Sequence, residues 1–371
     1  MIIGIDASRA IRKEKTGVEW YARNIIENLV KIDSQNQYLL YCDDKPDNWL
    51  KGLGDKKNVK IKQLHWGLPY LWTQGRLSLG MILNQPDVLF IPASAMPVLH
   101  PKNTVITIHD VAFKKFPNSY SSRQLAYLKW STQFAAKSAQ RVITISEFSR
   151  QEIMKYYNLP AEKITVTHLS CDQDMYRVIS DRAEINKTLE AYNIDRPYLL
   201  FVGRLEKKKN IVNLIKAFSI LKKEYQISQK LILIGNKGYG WPEAKKIIEE
   251  NSLQKDIIMP GYVQQASLPF LYNAADVFVF PSNYEGFGIP ILEAFACGTP
   301  VVASDSASMP EVAGEAASMV NPEKVEEIAL AINKVLTSDS FRKELSEKGL
   351  AQAQKFNWEK CARETLRAIM G

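Results

Sequence analysis

Two glutamates with seven residues between them, Glu285 and Glu293, lie in the segment with the most chemistry in this sequence, Pro281-Ser282-Asn283-Tyr284-Glu285-Gly286-Phe287-Gly288-Ile289-Pro290-Ile291-Leu292-Glu293. Gly286 and Gly288 offer bare amides in a turn, and Pro290 suits the first position of a helix. Carboxylates accept strong hydrogen bonds from hydroxyls, while amides at a helix start can hold an anion, so the segment fits a polyhydroxylated, phosphorylated ligand. Alone, the two glutamates would read as capping and solvated groups. A second segment tips the balance: Gly203-Arg204-Leu205-Glu206-Lys207-Lys208-Lys209-Asn210 sets cations at a strand exit, just before a helix. Cations there oppose the helix dipole at about a few tenths of a kcal/mol each, which a bound diphosphate would offset. Any one of the three lysines reads equally well as solvated surface, and Arg204, nearest the strand, is the stronger candidate.

His109-Asp110 follows the β-branched run 105–108, where an imidazole would point into a ligand crevice with Asp110 available to orient it. A histidine satisfied by backbone at a strand end is the equal alternative. Gly17 opens a helix behind Thr16, and Thr16 with Glu19 has the form of a capping box. It can let an anion approach the helix start, although a plain helix-start glycine is the commoner meaning of such a residue. His65, His100 and His168 offer no metal-ligand spacing, and no metal site is expected.

These residues need a scaffold of strands that end where they begin. Short apolar runs at 2–6, 38–42, 59–64, 88–91, 105–109, 142–145, 164–168, 198–202, 231–235, 257–259, 277–280 and 301–304 alternate with amphipathic stretches. That is the pattern of α/β folds with parallel sheets. Ligands of open parallel sheets bind beyond the carboxyl ends of the strands, which is where the candidates lie. Helices are expected from Gly17, over about 210–224, and after Pro242, Ser267, Pro290, Pro310 and Glu323. The polar stretch 180–190 places a domain boundary near residue 190, giving domains at 1–190 and 191–355. A last helical segment, 356–371, is expected to pack back on the N-terminal domain.

The 371 residues, 46% hydrophobic and 24% charged, suit two globular domains. Cys42, Cys171, Cys297 and Cys361 form no CxxC pair, and the N-terminus has no secretory pattern, so the expected residence is cytoplasmic. Glycines and prolines break the stretch 64–86, so no membrane-spanning helix is expected. The net charge of +8 clusters at 204–209 rather than along a basic face, which favours phosphate on a small ligand over nucleic acid. The first strand is not followed by GxGxxG, which argues against a dinucleotide oxidoreductase.

The constellation resembles the retaining glycosyltransferases of family four, which have the GT-B fold of two Rossmann-like doubly wound domains facing across a cleft. Glu285 and Glu293 match the family's Glu-x7-Glu motif, with Gly286-Phe287-Gly288 and the later Ala296-Cys297-Gly298-Thr299-Pro300-Val301-Val302 around it. Arg204 and one lysine, best Lys209, match its diphosphate-binding pair, with Lys207 and Lys208 left open. Gly17 resembles its N-terminal glycine loop, although Glu19 stands where many members have a second glycine, and His109 resembles its active-site histidine. The resemblance implies that Glu285 and the amides of Gly286, Phe287, Gly288 and Ile289 hold the donor sugar, that Glu293 holds the ribose, and that the backbone of Val263 meets the base. It implies a hexosyl donor such as GDP-mannose or a UDP-hexose, a saccharide or glycolipid acceptor, and no required cofactor. A sugar-nucleotide epimerase of related fold and a non-catalytic carbohydrate-binding protein are the rival readings. Trp66, Tyr70, Leu71, Trp72 and Met81 read as core by default, with a patch for peripheral contact at the inner membrane face as the alternative.

Overall fold

A computed structural model describes residues 1–68 and 71–371; Tyr70 therefore lies outside the described residues. Its backbone forms two all-parallel sheets. The first contains β1 (Ile2–Asp6), β2 (Gln37–Cys42), β3 (Val59–Gln63), β4 (Val88–Ile91), β5 (Thr104–Thr107), β6 (Arg141–Thr144) and β7 (Ile164–Val166), in the order β3-β2-β1-β4-β5-β6-β7. The second contains β8 (Tyr198–Val202), β9 (Lys230–Ile234), β10 (Ile257–Ile258), β11 (Val277–Phe280), β12 (Val301–Ser304) and β13 (Ser318–Val320), in the order β10-β9-β8-β11-β12-β13.

Every residue of β4, β5, β11 and β12 is buried. Helices on both faces of a parallel sheet demand such uninterrupted apolar runs, which is why these strands were visible in the sequence. Strand order reverses between β1 and β4 in one sheet and between β8 and β11 in the other. At such a switch point neighbouring loops diverge and leave a crevice beyond the strand ends. The loops leaving β8 and β11 carry Arg204–Lys209 and Glu285.

Contacts divide the chain into two units. Unit 1 comprises Met1–Lys115, Tyr120–Leu169 and Asn357–Gly371, and unit 2 comprises Phe116–Ser119 and Ser170–Phe356. In unit 1, Tyr41, Leu89, Ile91, Ile106, Val142 and Ile153 belong to one buried cluster. The final helix, Trp358–Met370, packs on helix Gly17–Ile32 of the same unit and buries Cys361, Ala362, Ala368 and Ile369. In unit 2, Phe201 and Phe278 each pack against Phe280 within the sheet.

Several elements escaped the sequence reading. The polar stretch taken for a domain boundary forms a helix, Arg182–Ala191, in which Ile185 and Leu189 alone are buried; two apolar positions are too few to stand out. The edge strand β13 is short, and two of its three residues are only half-buried. Helix Ser122–Ser138 buries Ser131, Thr132, Ala135 and Ala136, small residues that give a weak apolar signal. Trp66, Trp72 and Met81 pack in or against the core of unit 1, whereas Leu71 is exposed.

Candidate active site

In unit 2 the two cation and carboxylate segments meet. The loop after β8 continues into a tight 3-10 turn, Lys207–Lys209, and Asn210, in the left-handed region at φ +59°, starts the helix Ile211–Lys223. The backbone amide of Asn283 donates to the carbonyl of Lys208 at 3.0 Å, tying the β11 loop to this turn. Lys209 then forms an ion pair with Glu285, both side chains largely shielded from water. Ser282 Oγ donates to Glu285 Oε1 at 3.2 Å. Burial pushes the Glu285 carboxyl upward, but Lys209 and Lys208, with the hydrogen bonds from Lys209 and Ser282, outweigh it and hold the group below the ordinary glutamate range. Glu285 is therefore a fixed carboxylate at neutral pH.

Arg204 stands differently. Its side chain is 60% exposed, and its Nε lies 3.7 Å from Glu206 Oε2. Glu206 is buried and also faces Lys208 at 3.9 Å, so one acid within the cation run offsets two of its neighbours. Glu206 was missed in the sequence, where its one signal was a lone acid amid five residues of positive or apolar type. Exposed and only loosely paired, Arg204 is free to meet an incoming anion.

The glycine turn behaves as its composition dictates. Gly288 has φ +107° and caps the helix Ile289–Ala296, with Pro290 in its first turn. An L side chain would be strained at that φ, so glycine is required there. Ser308 Oγ lies 2.9 Å from the Glu285 carbonyl and 2.8 Å from that of Phe287, pinning the turn from the side of the β12 loop. Ser282 and Ser308 are both fully buried, and nothing in their local sequence marks them out. Only the fold brings Ser308 to this turn.

Glu293 sits within the helix Ile289–Ala296 and in other company. Tyr272 Oη donates to its Oε2 at 2.9 Å, and the Tyr272 ring packs edge-on against Tyr176 at 6.0 Å between centroids. Burial raises the Glu293 carboxyl to about 7, against the opposing hydrogen bonds of Tyr272 and Tyr176. Val263 is buried behind the exposed Tyr262, and Gly261 before it takes φ +80°. A cavity of unit 2, about 570 Å³, is lined by Lys207, Asn210, Asn283, Asp305 and Asn321 among others. Arg204, Lys209, Glu285 and Glu293 do not line it.

Unit 1 holds the remaining candidates. Gly17 begins the helix Gly17–Ile32, and Glu19 Oε2 accepts the Thr16 amide at 3.0 Å, giving the expected capping box. A Cβ at Gly17 would meet nothing within 4 Å, so the space before this helix start is open. His109, just beyond β5, is buried with its ring edge-on to Tyr21 at 4.7 Å, and its Nε2 lies 3.3 Å from the Pro92 carbonyl. A carbonyl only accepts, so Nε2 carries the proton and Nδ1 is left as an acceptor. Burial lowers the His109 pKa against the Pro92 bond and the charges of Asp110 and Glu19, so the ring is neutral at pH 7. Asp110 does not orient this ring by a hydrogen bond. Its carboxylate accepts the Ala112 amide at 2.9 Å, because the chain turns into a short helix there.

Among the described residues no group of three or more His, Cys, Asp or Glu is placed to hold a metal ion, and no helix is long and apolar enough to cross a membrane. All four cysteines are free and buried.

Comparison with known proteins places this geometry in a lineage. Residues 15–174 match the family model described as Glycosyltransferase Family 4, and residues 183–352 match Glycosyl transferases group 1. The O-antigen chain mannosyltransferase B of Escherichia coli is 37% identical over 268 residues, 72% of this chain and 70% of that protein. The serotype-specific mannosyltransferase WbdA of Escherichia coli is 32% identical over 59% of this chain, a match that spans 27% of WbdA. Among solved structures, Anabaena HepE in complex with UDP and glucose superposes with a TM-score of 0.75 over 100% of this chain and 99% of its own, at 19% identity. The two parallel sheets are those of the GT-B fold, and the chain belongs to the family 4, group 1 glycosyltransferases.

Proposed function

We propose that this glycosyltransferase is a retaining mannosyltransferase that uses GDP-mannose and extends a polysaccharide or glycolipid acceptor. The match to O-antigen chain mannosyltransferase B carries the choice of sugar. Donor chemistry is assigned to unit 2. Arg204 and Lys209 meet the diphosphate, Glu285 and the amides of Gly286, Phe287, Gly288 and Ile289 hold the hexose, Glu293 holds the ribose, and Val263 meets the base through its backbone. As the anomeric bond breaks, negative charge grows on the departing diphosphate, and prearranged cations and the helix N-terminus at Ile289 stabilise it without a divalent ion. Glu285 keeps Lys209 charged and aimed, so the pair acts as a unit. From unit 1, Gly17 contributes an open helix start, and neutral His109 contacts the transferred sugar or its acceptor through Nδ1. Work at the inner face of a membrane, on a lipid-linked acceptor, belongs to the same proposal.

The test is a thermal-shift screen of GDP, UDP, GDP-mannose and UDP-hexoses, followed by product analysis with the best binder. Binding to the folded state alone raises the melting temperature by mass action, about 2.7 kcal/mol at a hundredfold excess over Kd. The reading expects stabilisation by GDP and GDP-mannose and an α-linked mannosyl product. Stabilisation by UDP sugars alone would replace the donor, and conversion of the donor without an acceptor would replace the reaction by epimerisation.

A further inference from the structure

We infer that unit 2 holds a second saccharide site, a cavity beside the proposed sugar-nucleotide loops that takes a neutral segment of the growing polysaccharide. The source of that segment rests on the function proposed above, whereas the binding itself does not. β11, β12 and β13 are neighbours in the sheet, and each delivers a polar residue to the cavity just past its carboxyl end: Asn283, Asp305 and Asn321. Asp305 is set there by its own backbone, whose amide donates to the Val320 carbonyl at 2.9 Å and ties the ends of β12 and β13 together. A further wall is the start of helix Ile211–Lys223. Asn210 and Asn213 both donate their side-chain amides to the Pro322 carbonyl, at 2.6 and 3.0 Å, which fixes this wall against the loop after β13.

The lining decides what fills the space. Its volume of about 570 Å³ falls in the range of small-molecule sites, about 300–1,000 Å³. Three acids, Glu243, Asp305 and Glu323, outnumber two cations, Lys207 and Lys216, so the cavity disfavours the phosphate that suits Arg204 and Lys209. Among the described residues none of these five is in an ion pair, and the side-chain oxygens of Asn210, Asn213 and Asn283 accept no hydrogen bond. The Asp305 carboxylate meets only Ser306 Oγ, at the long distance of 3.5 Å. Hydroxyls of a neutral sugar both donate and accept, so they can satisfy open carboxylates, amide oxygens and lysines together without burying a net charge. The Phe116 ring, edge-on to Tyr284 at 6.0 Å, adds an apolar face on which the C–H side of a pyranose can rest. Lys207 and Asn283 each stand two residues before a member of the Lys209–Glu285 pair, so the cavity adjoins the loops assigned to the donor. A polysaccharide being extended at those loops would leave a distal unit here.

Saturation-transfer NMR on the full chain tests this, with mannotetraose, maltotetraose and cellotetraose as probes and with GDP and UDP at saturation to fill the donor loops. Saturation is expected to reach mannotetraose although nucleotide is present. Asp305→Ala and Asn213→Ala should each weaken that binding, the first by about tenfold or more because a charged acceptor is lost. Asp305 is exposed and Asn213 half-buried, so melting temperature and the shift on adding nucleotide should stay as in the wild type. In transfer assays both variants should raise the KM for a tetrasaccharide acceptor and leave that for a monosaccharide acceptor unchanged. No saturation of any probe, variants that bind as the wild type does, or an unchanged tetrasaccharide KM would overturn the inference. So would displacement of the sugar by inorganic phosphate, which would assign the cavity to an anion. Binding of a glucose tetrasaccharide alone would uphold the cavity and count against the mannosyl reading, and normal binding with no glycosyl transfer would count against the proposed function alone.

Discussion

Glu285 and Glu293 are the same residue type on the two flanks of one glycine turn, yet their surroundings drive them in opposite directions. Glu285 is half-buried beside Lys209 and Lys208 and is held ionised, while Glu293 is half-buried beside Tyr272 and Tyr176 and is pushed toward protonation. Burial raises both carboxyls. What separates them is whether a cation or a phenol shares the burial. The spacing of the motif therefore fixes where two carboxyls stand, and their tertiary partners fix their charge.

The sharpest way to break the contrast is to remove the charge that Lys209 answers. Glu285→Gln should lower turnover by about a hundredfold or more if the pair positions donor and diphosphate. It should also lower stability by about 3 kcal/mol, because Lys209 would stay shielded from water without its partner. Arg204→Ala provides the control: exposed and loosely paired, it should cost a comparable loss of turnover but less than about 0.5 kcal/mol of folding free energy. Steady-state kinetics with denaturant titrations check both, and normal turnover in the two variants would remove the proposed site.

The next effect is one of pH. The Glu293 carboxyl, raised by burial to about 7 from an ordinary 4.5, binds its proton more tightly folded than unfolded. Its contribution is fully present below the unfolded value and is lost as pH rises through 7, by an amount on the order of 3 kcal/mol. Glu285, lowered by its lysines, runs the other way: its contribution is present above the ordinary glutamate value and is lost as pH falls through its folded value. Glu293→Gln should thus gain stability relative to wild type from pH 6 to pH 8, and Glu285→Gln should flatten the acid limb. Denaturant midpoints from pH 8 down past the ordinary glutamate value of about 4.3 read both slopes, and parallel curves for all three proteins would erase the distinction.

The smallest effect belongs to Tyr272→Phe. Losing one hydrogen bond to Glu293 should cost about 1 kcal/mol and, if Glu293 holds the ribose, should raise the KM for the donor several-fold while leaving kcat nearly unchanged. A fall in kcat with unchanged KM would move Glu293 away from ground-state donor binding.

Much of this was legible before any coordinates. Parallel strands buried on both faces declare themselves as continuous apolar runs, so β4, β5, β8, β11 and β12 stood out, and Gly286 and Gly288 ahead of Pro290 marked a turn into a helix. Helix Arg182–Ala191 did not stand out, because its two buried residues sit in a polar segment, and the exposed Leu79, Ile82 and Leu83 could not be told from core residues by type. Exposure is a property of what stands opposite a side chain, which local sequence does not record.

By itself the sequence determined the alternation of strand and helix, the loops that follow β8 and β11, and the residue types those loops bear, since each is set by periodicity and short-range backbone preference. Only the tertiary structure decided that Lys209 rather than Lys207 or Lys208 pairs with Glu285, that Ser308 pins the turn, that Tyr272 meets Glu293, and that Asp110 caps a turn instead of holding His109. These are encounters between segments distant along the chain, and their geometry arises from the packing of whole sheets and helices.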